Sequence, residues 1–150
     1  MRRNLSMILI RIVVGVVFLT EGALKFILPS ELGAGRFEAI GLPFPNFLAP
    51  LVGGIELIGG AAILLNIYAG DAALLLLFVI VTALITTKVP VLLGGPLGPF
   101  PLMKAPHTGL LAFLHEARVD LCMLFGLPAI LIESGLRIGR RRPWYQSKQL

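Results

Sequence analysis

The stretch from Arg11 to Lys25 (RIVVGVVFLTEGALK) is apolar enough to sit in lipid, yet it carries Arg11, Glu21 and Lys25. A charge near the bilayer centre costs roughly 3 kcal/mol on insertion scales, so such groups face protein or a water-filled cavity and find partners there. At about 100° per residue, Arg11, Gly15, Phe18, Gly22 and Lys25 fall on one arc of a helix, with Glu21 beside Lys25 one turn earlier. A helix with such a stripe needs neighbours. Gly15 and Gly22 on the same arc allow a second backbone to come close, as small residues do where membrane helices touch.

The rest of the 150-residue chain is of the same character: 57% hydrophobic, 14% charged, with a mean hydropathy of +0.91. It reads as an all-α membrane protein in a single domain, a four-transmembrane-helix bundle. Apolar runs at about 5–28, 47–69, 72–93 and 110–132 are each long enough to cross a hydrocarbon core of about 30 Å. The first is too long for a signal peptide, holds internal charges and lacks a small-x-small cleavage site, so it reads as a retained span. The net charge of +5 gathers at the ends, in Arg2 and Arg3 and in a basic tail over 137–150. By the positive-inside rule both termini are cytoplasmic, which an even number of spans requires. The tail directly abuts a span and no nucleic-acid motif accompanies it, so nucleic acid is not an expected partner. The lipid bilayer is. Cys122 is the only cysteine, which excludes an internal dithiol and reads as a small packing residue.

After the first span, Ser30 to Asn46 mixes Glu31, Arg36 and Glu38 with Leu32, Phe37 and Ile40. This predicts a short interfacial helix with Ser30 as cap and Gly41 as terminator. In the second span Glu56 stands alone between Gly53 and Gly60, on a face suited to close helix contact, so its carboxyl is expected to point inward. The turn expected at Tyr68 to Asp71 makes the second and third spans antiparallel neighbours. The segment from Gly94 to His107 is too rich in proline and glycine for a continuous helix. In the fourth run, His115, Arg118 and Cys122 share one face and Glu116, Asp120 and Met123 another. Arg118 and Asp120 therefore cannot both face the bundle axis. One must serve an adjacent helix or a neighbouring subunit, which leaves a homo-oligomer open.

At a rise of ~1.5 Å per residue, Glu21, Glu56, Arg118 and Asp120 lie about 10–15 Å below the outer ends of their spans, with Lys25, Lys88 and His115 shallower on the same side. Arg11 alone is at the other end, within reach of the cytoplasmic surface by snorkelling. Two readings of the convergence stand side by side. In one, it is a pocket in which Glu21, Glu56 and Asp120 do acid/base work and Lys25, His115 and Arg118 hold a quinone-like or other amphipathic ring. In the other, it is an ion-pair network that fixes helix order. Two separated histidines without a Glu-x-x-His pattern make no metal site.

Four features recur in order: Arg11 with Gly15, Phe18, Gly22 and Lys25; Gly41-Leu-Pro-x-Pro45; Glu56 with Gly59 and Gly60; and Glu116-x-Arg-x-Asp120. With these the chain resembles the DoxX family of small four-span bacterial membrane proteins along nearly its whole length. The resemblance implies a multi-pass protein of the bacterial inner (plasma) membrane, associated with quinone-linked oxidoreductase systems and sometimes with thiosulfate or thiol-oxidation partners. The missing cysteine pair argues against direct thiol oxidation by this chain. The expectation is thus a subunit of an oxidoreductase system with quinone as the ligand and a soluble or membrane redox partner. A scaffold or anchor for other proteins and a small-solute carrier are the alternatives.

Overall fold

The computed structural model describes residues 5–103 and 106–135. Every regular element among them is helical: α1 (Leu5–Ile27), α2 (Ala34–Ala39), α3 (Pro45–Leu65), α4 (Ala69–Ala83), a π-helical turn (Leu84–Lys88), α5 (Val89–Leu93), α6 (Leu110–Glu116) and α7 (Arg118–Glu133). Among the described residues three helical stretches are long and apolar enough to cross a membrane: Leu5–Ile27, Pro45–Leu65 and Ala69–Leu93. The basic tail 137–150 and the arginines at 2 and 3 lie outside the described residues.

α1 stops at Ile27 because Leu28 precedes Pro29 and is steered away from helical geometry. The chain then folds back on the helix end, with the amides of Glu31, Leu32 and Gly33 all directed at the Leu28 carbonyl. That turn uses Ser30, so the short helix starts after Gly33 and not at a serine cap. Its Phe37 and Ile40 are buried against the bundle, and Gly41 follows it with φ +78°. α3 opens with Pro45 at its first turn, where the absent N–H is no loss.

The connection to α4 is earlier than the sequence suggested. Asn66 and Tyr68 take left-handed conformations, at φ 54° and 51°, so the turn is Asn66 to Tyr68. The helices accordingly run over 45–65 and, continuing through the π turn, over 69–93, where apolar runs at about 47–69 and 72–93 were expected. Asn tolerates this backbone region better than most residues and so sets the stop.

The third span carries a π-helical turn over Leu84–Lys88. Its cause is Pro90, which cannot donate to the Thr86 carbonyl and whose ring would crowd it in a regular α-helix. Widening the turn relieves the clash and leaves Thr86 and Thr87 to donate to carbonyls one turn back.

The run expected to cross at 110–132 is not one continuous helix. It breaks at Ala117, where φ −93° and ψ 3° leave the helical region. The Arg118 guanidinium donates to the His115 carbonyl, the acceptor that an unbroken helix would have given to the Val119 amide.

α1 packs on α3, α3 on α4, α4 on α7, and α7 back on α1, closing a ring. The interior holds Val14, Phe18, Ile63, Leu76, Ile80, Met123, Leu127 and Ile130. Ile12, Val16, Ile58, Leu75, Phe125 and Ile132 point outward, an apolar exterior suited to lipid.

Candidate functional site

The site begins with the seam between α1 and α3, where glycines face glycines. A Cβ placed on Gly22 would lie 2.8 Å from the Gly53 carbonyl oxygen, and one on Gly60 2.8 Å from that of Gly15. This pairing brings the helices into backbone contact and sets their register. The pairing of Gly22 with Gly53 and of Gly15 with Gly60 is antiparallel, so Lys25 and Glu56 lie one turn to either side of the Gly22–Gly53 contact, and their side chains, tilted toward the N-termini of their helices, meet across it. The Lys25 ammonium lies 2.6 Å from Glu56 Oε2, with both side chains largely buried.

A second charged group closes in from α4 and α7. The π turn carries Lys88 over the interior, where its ammonium lies 3.8 Å from Glu116 and 3.9 Å from Asp120. These separations exceed the 2.7–2.9 Å of a direct charge-assisted hydrogen bond. Lys88 therefore balances two carboxylates without being locked to either.

Between these two groups is a cavity of about 460 Å³, within the range of small-molecule sites. α1 contributes Glu21 and Lys25 to its wall, α2 Arg36, α3 Glu56, the π turn Lys88, α6 Glu116 and α7 Asp120, while Phe18, Phe37, Ile40, Val52 and Met123 supply apolar surface. Phe78 and Val119 line it too and are exposed at the bundle surface. The charged wall holds four carboxylates and three cations. Among the described residues no group of His, Cys, Asp and Glu side chains is arranged to hold a metal ion.

Of the residues picked out from the sequence, Glu21, Lys25, Glu56 and Asp120 line this cavity; His115 and Arg118 do not. Both lie exposed on the opposite face of the broken helix, Arg118 held there by the His115 carbonyl. The cation opposite Asp120 is Lys88, not Arg118. Arg36 and Glu116 were not assigned to the site at all. Arg36 is carried in by the packing of α2 on α3, which no periodicity within α2 reports.

Two further readings change. Arg11 does not snorkel freely; it is paired with Glu133 of α7, tying α1 to α7 at the other end of the bundle. Cys122 is exposed instead of packed, bordering a shallow apolar groove with Leu9, Val13 and Gly126.

Comparison with known proteins agrees with this architecture. The DoxX family model matches residues 6–89, from α1 through the π turn, a segment that includes Glu21, Lys25, Arg36, Glu56 and Lys88. An uncharacterized membrane protein of Mycobacterium tuberculosis is 43% identical over 127 residues, which cover 84% of this chain and 73% of that protein. No solved structure matches the chain. A match over more than half the chain, together with long apolar helices around a charged interior, establishes the identity: the chain is a membrane protein of the DoxX family.

Proposed function

We propose that the protein is a multi-pass subunit of a quinone-linked oxidoreductase system in a bacterial inner membrane. Its cavity binds a quinone-type ring, and a partner protein carries the electrons to or from it. The observation that carries this reading is the cavity itself, about 460 Å³, lined by Phe18, Phe37 and the surface-exposed Phe78 together with charged groups from several helices. A lipid-soluble ring enters such a site from the bilayer, and ionisable groups around it bind and exchange protons with its oxygens. Glu21, Glu56 and Asp120 act as the acid/base groups, with Lys25, Lys88 and Arg36 holding oxygen atoms and neighbouring carboxylates.

In this reading α6 and α7 together form the fourth crossing, bent at Ala117, and both termini are cytoplasmic. The closed ring of α1, α3, α4 and α7 supports it, as do the arginines flanking the first and last apolar runs. A reporter fused after residue 150 is expected to be active in the cytoplasm and one inserted near Gly98 in the periplasm. A periplasmic tail would overturn the four-span arrangement.

Mass spectrometry of lipophilic molecules retained after gentle detergent extraction tests the function. A retained quinone is expected, at lower occupancy in Glu56→Gln. A second reading, a scaffold for partner proteins, is favoured by the way the ion pairs tie helices together, Lys25–Glu56 joining α1 to α3 and Lys88 joining the π turn to α6 and α7. Recovery of a partner protein with no ring compound at any occupancy would favour the scaffold.

A further inference from the structure

The charges of the bundle interior stand at two levels. At one end Arg11 is paired with Glu133; at the other, beside α2, lie the charged side chains of the cavity wall. Residues 12–20 of α1, 57–65 of α3, 72–81 of α4 and 121–132 of α7 separate the two, a layer about 15 Å thick at ~1.5 Å per residue. These stretches hold no ionisable side chain except the Cys122 thiol, and their one hydroxyl, on the exposed Thr20, donates to the Val16 carbonyl. Val14, Ile63, Leu76, Leu127 and Ile130 fill the layer and are at most 2% exposed. Gly15 and Gly60 close the α1–α3 seam within it, since a methyl on either would come to 3.0 Å or less from the other's carbonyl oxygen. Pro128 leaves the Leu124 carbonyl without its helical donor, which adds a single acceptor. A buried water is held by two to four polar partners, and proton paths through membranes are built from successions of Asp, Glu and His. The layer offers neither.

The α2 end is different. The side chains of Glu116, Asp120 and Lys88 line the cavity and are still 41%, 23% and 15% exposed, and Glu21 on the same wall is exposed as well. Lys88 and Glu116 stand within about 9 Å of the points where their helical stretches end at Leu93 and begin at Leu110. We infer that the cavity exchanges protons with water at the α2 end of the bundle and not with the Arg11–Glu133 end. Glu21, Glu116 and Asp120 carry the protons between wall and surface, because each lines the cavity and also reaches the outside. Glu56, 5% exposed and held against Lys25, depends on them. The sidedness belongs to the bundle itself. Its consequence rests on the ring-binding reading above and deepens it: every proton that the oxygens of a bound ring gain or lose is taken from, or given to, that one side.

The test is the reaction of single cysteines, in the full chain carrying Cys122→Ala, with the membrane-impermeant reagent trimethylammonioethyl methanethiosulfonate. The reagent is applied to spheroplasts and to inside-out vesicles. A thiol reacts where it can ionise and is inert when buried among apolar side chains. Ser6→Cys, at an exposed residue on the far side of Arg11, marks one face of the membrane. Thr82→Cys and Val52→Cys, both on the cavity wall, are expected to be labelled from the opposite face only, and Ile63→Cys in the apolar layer from neither. Labelling of a cavity cysteine or of Ile63→Cys from the face that labels Ser6→Cys overturns the one-sided exchange. So does failure of both cavity cysteines to react from any face. Liposomes that carry the full chain and a trapped pH-sensitive dye are expected to hold a pH step as long as protein-free liposomes do, and a faster collapse overturns it too. No ring compound enters these measurements, so the sidedness can fail while retention of a quinone stands, and a missing quinone leaves the sidedness to be read on its own.

Discussion

Alanine at Gly60 is expected to lower the stability of the protein by on the order of 3 kcal/mol, whereas alanine at Gly54, six residues earlier on the same helix, leaves it unchanged or slightly raised. The difference lies in what each new methyl would meet. At Gly60 it would come within 2.8 Å of the Gly15 carbonyl oxygen and 3.0 Å of the Leu19 amide nitrogen. Both are backbone atoms of α1, which cannot rotate aside as a side chain does. At Gly54 nothing lies within 4 Å. The helices would have to part along a seam whose attraction is made of many weak contacts that fall off steeply with separation. Gly22→Ala should behave like Gly60→Ala, since its methyl would meet the Gly53 carbonyl oxygen at 2.8 Å and the Leu57 amide nitrogen at 2.9 Å. Thermal denaturation in detergent, with all three variants side by side, measures this. Equal midpoints for Gly54→Ala and Gly60→Ala would show that the α1–α3 seam is not the tight contact described here.

Lys25→Met is the second large effect, a loss of about 3–5 kcal/mol at neutral pH. It strands a carboxylate whose side chain is 5% exposed and whose charge is compensated by Lys25 at 2.6 Å. Methionine keeps most of the length of the lysine stem, so the loss reports charge more than packing. Glu56→Gln should cost less, because the amide still offers an acceptor to the ammonium. Combining Lys25→Met with Glu56→Gln removes both charges and should recover most of the stability lost in Lys25→Met, and a double-mutant cycle gives the coupling. The sign of the pH dependence follows. Without the cation only the ionised carboxylate is penalised, so the deficit of Lys25→Met shrinks as pH falls and Glu56 takes up a proton. A deficit that stays constant from pH 8 to pH 4, over a range of about four units in which a carboxyl titrates, would mean that the pair contributes through shape.

Much of this arrangement was legible along the chain. The apolar runs are long and interrupted by proline, glycine and asparagine, so the existence of the helices follows from local composition. The stripe of Gly15, Phe18, Gly22 and Lys25 and the Gly53-to-Gly60 face of α3 follow from helical periodicity alone, while depth counted from the span ends puts Glu21, Glu56 and Asp120 near one level with Lys25 shallower on the same side. The alternatives within the fourth run were equally visible: Arg118 and Asp120 on opposite faces, with His115 grouped with the first and Met123 with the second.

Tertiary structure decided which face turns inward. Periodicity relates residues on one helix to each other but does not set the rotation of that helix against its neighbours; packing of α7 on α4 and α1 does, and it puts Asp120 and Met123 at the cavity and Arg118 outside. The same holds for Arg36, brought in by a six-residue helix too short to declare a buried face, and for the Arg11–Glu133 pair, whose partners are 122 positions apart. The break at Ala117 and the π turn at Leu84–Lys88 answer to a guanidinium competing for a carbonyl and a proline lacking a donor. Only the second of these has a visible mark in the sequence, and only the folded chain shows that it swings Lys88 over the acids. Composition and period therefore determined a set of apolar helices and the level of their charges, while the choice of partners among those charges belongs to the packed bundle, because each pair joins helices whose relative rotation no local pattern contains.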